Sequence, residues 1–109
     1  MEKLSMNLNE YQLAAKEFAV YPDGAGLMYT SLALCEEAGE YAGKLAKAIR
    51  AGKAPDTEAA AKELGDTLWQ LAAAAGELGY TLQDIALMNL DKLYERKLRG
   101  TIVGTGDNR

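Results

Sequence analysis

Two pairs of acids share one spacing. Glu37 and Glu40 form the first pair, and Glu63 and Asp66 form the second. Acids three residues apart lie about 60° from each other around a helix, so each pair shares one edge. Glu36 falls in the same sector as the first pair. Two helices packed antiparallel would turn these edges toward each other, and the carboxylates would converge. Converged acids repel, by roughly 0.2–0.5 kcal/mol for each like-charge pair at helical spacing, and by more once desolvated. A divalent cation removes that penalty. An oxygen-only ligand set suits Mg²⁺, with Mn²⁺ as its substitute. The chain has no histidine and one cysteine, which argues against zinc and removes His-based triads and bases. The competing reading is a solvated helix face whose acids pair with Lys44, Lys47 and Lys62. Glu40 and Lys44 have the i,i+4 spacing for it. Repetition of the pair, each time beside an apolar stripe, favours a site.

Nearer the C-terminus the chemistry changes sign. Asn89, Lys92 and Arg96 fall within about 60° of each other on a helical wheel. They overlap the apolar face of Leu82, Ile85, Ala86, Leu90 and Leu93. Polar groups on such a face need partners, and an amide beside two cations fits a phosphate or a sugar. Snorkelling of both cations to solvent is the alternative. Trp69, Tyr41, Phe18 and Tyr11 are candidates to stack on a base. Trp69 stands out because it falls off the apolar stripe of its own helix; a subunit interface is its other use. Gly39 and Gly65 lie inside the two acidic motifs. A mid-helix glycine costs ~1 kcal/mol relative to alanine, so close helix approach or ligand access is expected to offset it. Cys35 reads as a small buried residue with no electropositive setting to activate it.

These residues need helices to position them, and the periodicity supplies four. The first runs from about Leu8 to Val20, capped by Asn7, and ends at Tyr21-Pro22-Asp23-Gly24-Ala25-Gly26. The second runs from about Leu27 to Ala51, with the stripe Leu27, Leu34, Ala38, Tyr41, Leu45 and Ile49, and Gly52 stops it. Asp56 or Thr57 opens the third, which carries Leu64, Leu68, Leu71, Ala75 and Leu78 and ends near Leu78. Thr81 caps the fourth, with Asp84 three residues on, and it ends near Leu98. The glycine-rich tail from Gly100 has no helical period. The expected fold is all-α: an antiparallel bundle of about four helices with an irregular C-terminal tail, completed by oligomerisation. Short loops between the later helices imply antiparallel neighbours.

The chain has 109 residues, so 1–109 reads as a single domain with a modest core. Apolar residues make up 49% and charged ones 26%, ordinary for a soluble protein. The net charge is −4, which provides no basic field for a nucleic-acid polymer. An acidic chain that handles a polyphosphate needs cations between itself and its substrate. The first seven residues lack the apolar core of a secretory leader. The uncharged stretch Thr67–Gly76 is too short to span a bilayer. With a single cysteine the expected setting is cytoplasmic, with no membrane partner.

Glu36-Glu37-Ala38-Gly39-Glu40 followed by Glu63-Leu64-Gly65-Asp66 resembles the signature of the MazG-like, all-α nucleotide pyrophosphohydrolases. Asn89-x-x-Lys92-x-x-x-Arg96 is similar to that family's third motif. Asn9-Glu10-Tyr11-Gln12, Tyr21-Pro22 and Gly106-Asp107-Asn108-Arg109 resemble its short single-domain members of bacteria and phages. The resemblance implies Mg²⁺-dependent hydrolysis of a nucleoside triphosphate between the α and β phosphates, in the service of nucleotide-pool housekeeping. It implies Glu37, Glu40, Glu63 and Asp66 as metal ligands and Glu36 as the acid that orients or deprotonates water. Asn89, Lys92 and Arg96 would hold phosphate or sugar, Lys44 could reach phosphates, and Trp69 would meet the base. It further implies a homo-oligomer, dimer or tetramer. A dUTP- or dCTP-directed enzyme and a phosphoribosyl-ATP pyrophosphohydrolase share this metal chemistry. A non-catalytic helical adaptor is the reading from a different class; a di-iron bundle is disfavoured because its Glu-x-x-His motif is impossible here.

Overall fold

The computed structural model describes residues 5–109. The first four residues, part of the leader reading, lie outside that range. The described chain is all-helical: α1 (Leu8–Ala15) with a 3₁₀ turn (Lys16–Phe18), α2 (Gly26–Arg50), α3 (Thr57–Glu77) and α4 (Leu82–Arg99). The tail beyond Arg99 is irregular.

Local chemistry sets the helix ends. Asn7 and Glu10 close a reciprocal capping box on α1, and Thr81 and Asp84 close another on α4. Asp56 caps α3 by accepting from the Ala59 amide. The expected first helix is too long at its C-terminal end. It tightens into the 3₁₀ turn after Ala15, and Ala19 is already extended. Tyr21 precedes Pro22, whose ring disfavours helical backbone at the residue before it.

α2 and α3 form the tight part of the molecule. Thr30, Ala33, Ala60, Ala72 and Ala75 are buried, so small side chains let the helices approach. Gly26 opens α2 against the end of α3, where an added Cβ would collide with the Glu77 carboxylate. Tyr21 donates a 2.8 Å hydrogen bond to that carboxylate and stacks on Tyr29.

α1 crosses the end of this hairpin and is pinned by Gln12. Its Nε2 donates to the carbonyls of Ala72 (3.0 Å) and Tyr80 (3.1 Å), and its Oε1 accepts from the Leu82 amide (2.9 Å). Asn9 Oδ1 accepts from the Gln83 amide. One side chain thus joins α1, the end of α3 and the start of α4.

α4 is the loosest member. A short loop precedes it, yet it is held mainly at its first turn, where Leu82 is buried. Leu87, Met88, Leu90, Tyr94 and Leu98 are exposed. The radius of gyration is 16.6 Å, against about 13 Å for a compact chain of this length. Cys35, expected to be buried, is exposed, because it lies on the face of α2 turned away from the hairpin core.

Candidate active site

The acidic motifs meet because α2 and α3 run antiparallel in one register. Gly26 faces Glu77 at one end of the hairpin, and eleven residues along each helix Glu37 faces Asp66. The same register sets Glu40 opposite Glu63, so one acidic pair lies against the other. Glu37, Glu63 and Asp66 each bring a carboxylate oxygen within 4.8 Å of the other two. Glu37 and Glu63 are half-buried and Asp66 is exposed. Glu40 and Glu36 are also exposed and lie outside this trio, but their charges act on it. The Glu37 carboxyl is pushed above the ordinary carboxylate value, first by desolvation and then by Asp66, Glu36, Glu63 and Glu40.

The pairing that would explain these acids as a solvated face does not form. Lys62 pairs with Glu58 at 3.7 Å, on the exposed side of α3. Among the described residues no ion pair joins Lys44 or Lys47 to an acid. Gly39 and Gly65 do not serve close helix approach, since a Cβ at either would meet nothing within 4 Å. Open space faces each of these glycines instead.

Trp69 stands one turn beyond Asp66 and lines two hollows. One is an open recess with Tyr11, Phe18, Gly65 and Asp66. The other is a more enclosed cavity of about 440 Å³, bounded by Tyr21, Tyr29 and Gln70 among others. The Tyr11 hydroxyl is pushed above its ordinary value, by burial first and by the Asp66 charge second. Tyr41 is half-buried and lines neither hollow.

The third motif is engaged elsewhere. Lys92 Nζ pairs with Asp107 Oδ1 at 2.6 Å. Arg96 Nη2 donates to the Asp107 carbonyl at 2.7 Å and reaches its carboxylate at 3.2 Å. Arg96 is only 7% exposed, and its Nε has no partner. The two cations hold the Asp107 carboxyl below its ordinary value, Lys92 foremost. Arg109 folds back on the carbonyls of Thr101, Ile102 and Gly106. Asn89 and Lys44 are exposed. Within one chain, therefore, the tail occupies Lys92 and Arg96. Asp107 was visible in the sequence only as part of a tail similarity. The available signal was an acid a short glycine-rich loop beyond a helix with inward cations.

Comparison with known proteins supplies a family for the chain. Residues 28–99 match the family model of the MazG nucleotide pyrophosphohydrolase domain. The Gene 37 protein of Mycobacterium phage L5 is 39% identical over 114 aligned positions, covering 95% of this chain and 100% of that protein. No solved structure matches.

Proposed function

The chain belongs to the MazG nucleotide pyrophosphohydrolase family, and we propose that it hydrolyses nucleoside or deoxynucleoside triphosphates between the α and β phosphates. The products are a nucleoside monophosphate and pyrophosphate. The observation that carries this reading is the convergence of Glu37, Glu63 and Asp66 from two helices with no basic partner among the described residues.

The donor set fits Mg²⁺, with Mn²⁺ as a substitute. It is all oxygen, partly exposed, and electrostatically unfavourable as it stands, since Glu37 is pushed toward its protonated form. Glu37, Glu63 and Asp66 would hold the ion, with Glu40 one turn from Glu37. Bound there, Mg²⁺ would neutralise phosphate charge and make water more acidic.

The residues of the chain do the rest. Glu36, exposed beside the trio, takes the proton as water oxygen bonds to phosphorus. The anhydride bond breaks and its electron pair leaves with pyrophosphate. Trp69 packs against the nucleoside. Lys44 and the Asn89, Lys92 and Arg96 row hold phosphate or sugar, which requires Asp107 to yield Lys92 and Arg96 to the substrate. The apolar residues left exposed on α4 favour a homo-oligomer, a dimer or tetramer. No described helix is long and apolar enough to cross a membrane, and an exposed free thiol at Cys35 suits a reducing, cytoplasmic setting.

The test is pyrophosphate release from a panel of nucleoside triphosphates, with Mg²⁺ and with chelator. Metal-dependent release in step with the monophosphate is expected. Folded protein that turns over no triphosphate with either metal would move the reading to a non-catalytic adaptor.

A further inference from the structure

The less open of the two hollows beside Trp69 has on its wall a group that no hydrogen bond of the described fold uses. Gln70 is 5% exposed and lies on the cavity wall. Its amide makes no hydrogen bond among the described residues, in contrast to its neighbours on the same wall. Gln12 spends its amide on Ala72, Tyr80 and Leu82, and Tyr21 spends its hydroxyl on Glu77. Neither amide atom is sealed off, since the fully enclosed side-chain atoms without a partner are those of Arg96 and Thr101 among the described residues, so the Gln70 amide stays open to whatever enters the cavity.

The position of Gln70 relative to the acids is set by one helix. Glu63, Asp66 and Gln70 follow each other at i, i+3 and i+7 on α3 and so share a face. At 1.5 Å per residue, Gln70 lies about 6 Å further along the axis than Asp66. In the α2–α3 register its counterpart is Ala33, a side chain too small to fill the space. The indole of Trp69 borders both this cavity and the recess at Asp66. The stacked rings of Tyr21 and Tyr29 line another side. Aromatic walls with one unsatisfied amide between them are what a planar heterocycle needs for stacking and for edge recognition.

We propose that Gln70 reads the hydrogen-bonding edge of the nucleobase, which lies in this cavity against Trp69. A primary amide offers one donor and one acceptor side by side, and it pairs with any base edge that presents the complement. The ligand class is thus a nucleotide whose base carries an adjacent donor and acceptor. The inference rests on the hydrolysis reading only for where the phosphates lie.

The experiment measures binding, not turnover. Wild type and Gln70→Met are titrated with Mg²⁺ and the four α,β-imido deoxynucleoside triphosphates, and with inorganic tripolyphosphate as the base-free control. Trp69, the single tryptophan, supplies the fluorescence signal. In wild type, at least one nucleotide should bind about tenfold or more tighter than tripolyphosphate, the scale of a good bidentate contact. Gln70→Met should lose that margin and leave tripolyphosphate binding unchanged. Gln70→Glu, which replaces the donor by a second acceptor, should reorder the nucleotides, and it decides the matter if the Met variant does not fold. A margin and rank order unchanged in both variants overturns the proposal. Because pyrophosphate release is a separate readout, an enzyme that turns over with its base preference intact in Gln70→Glu sinks Gln70 alone. Base-dependent binding without turnover sinks hydrolysis alone.

Discussion

The two charged regions of this molecule handle charge in opposite ways. On α2 and α3 the chain crowds like charges and gives them no counter-charge among the described residues. On α4 it meets Lys92 and Arg96 with one acid of its own tail, Asp107, at 2.6 Å and 3.2 Å. The first region is left with its repulsion uncompensated among the described residues. The second is nearly complete as it stands. Charge placement alone nominates both as binding sites, and the difference is that the second must give up an internal partner before it can act as one.

The largest expected effect breaks the first region. Asp66→Asn should lower metal-dependent pyrophosphate release by more than about 100-fold, since even residues that merely orient metal ligands are worth about 10–100-fold. The same variant in chelator should melt no lower than wild type, because a repelling charge is gone. A lower melting temperature with activity retained would make Asp66 a structural acid.

Leu93→Asp tests whether α4 is left open for another copy. It should shift the mass measured by light scattering toward the monomer, and an unchanged mass would place any interface elsewhere. Gly39→Ala separates helix propensity from access. It should stabilise the fold by ~1 kcal/mol in thermal melts, and a fall in activity beside that gain would show that a ligand uses the open space at Gly39.

The pH response sharpens the comparison, because the two regions should respond in opposite directions. Glu37 has a folded value above its ordinary 4.5. The folded chain therefore takes up its proton before the unfolded chain does, and metal-free protein should gain stability as pH falls through the folded value. Mg²⁺ should abolish the gain. Asp107 is held below its ordinary 3.8. Its contribution is present above that value and is lost as pH falls through the lower folded one. Protease nicking near Gly104 should rise only in strong acid, the smallest effect of the series. Early nicking at mild acidity would mean that the Asp107 clasp does not hold the tail.

Much of this was legible beforehand, for identifiable reasons. Caps at Asn7, Asp56 and Thr81 are local hydrogen bonds, so the helix starts could be read from neighbouring residues. The pairing of Glu37 with Glu63 and Asp66 followed from spacing once two adjacent helices were assumed. The end of α1 was misjudged because apolar Phe18 and Val20 extend the pattern past the backbone's last helical turn. Exposure of Cys35 and the looseness of α4 depend on which helix faces which, and no local pattern records that. Gln70 could not be singled out at all. A glutamine in a helix is ordinary until its burial and its missing partner are known together.

The Gln12 hinge has a kinetic meaning. Its contacts span separations of 60, 68 and 70 residues, so the first turn of α4 is anchored by the segment farthest from it along the chain. Such closures come late in folding, because their entropy must be spent before they return anything. The Leu82 amide should then exchange its hydrogen whenever α1 lifts away, even while α4 stays coiled, and that single proton becomes a clock for the opening of the whole end of the molecule.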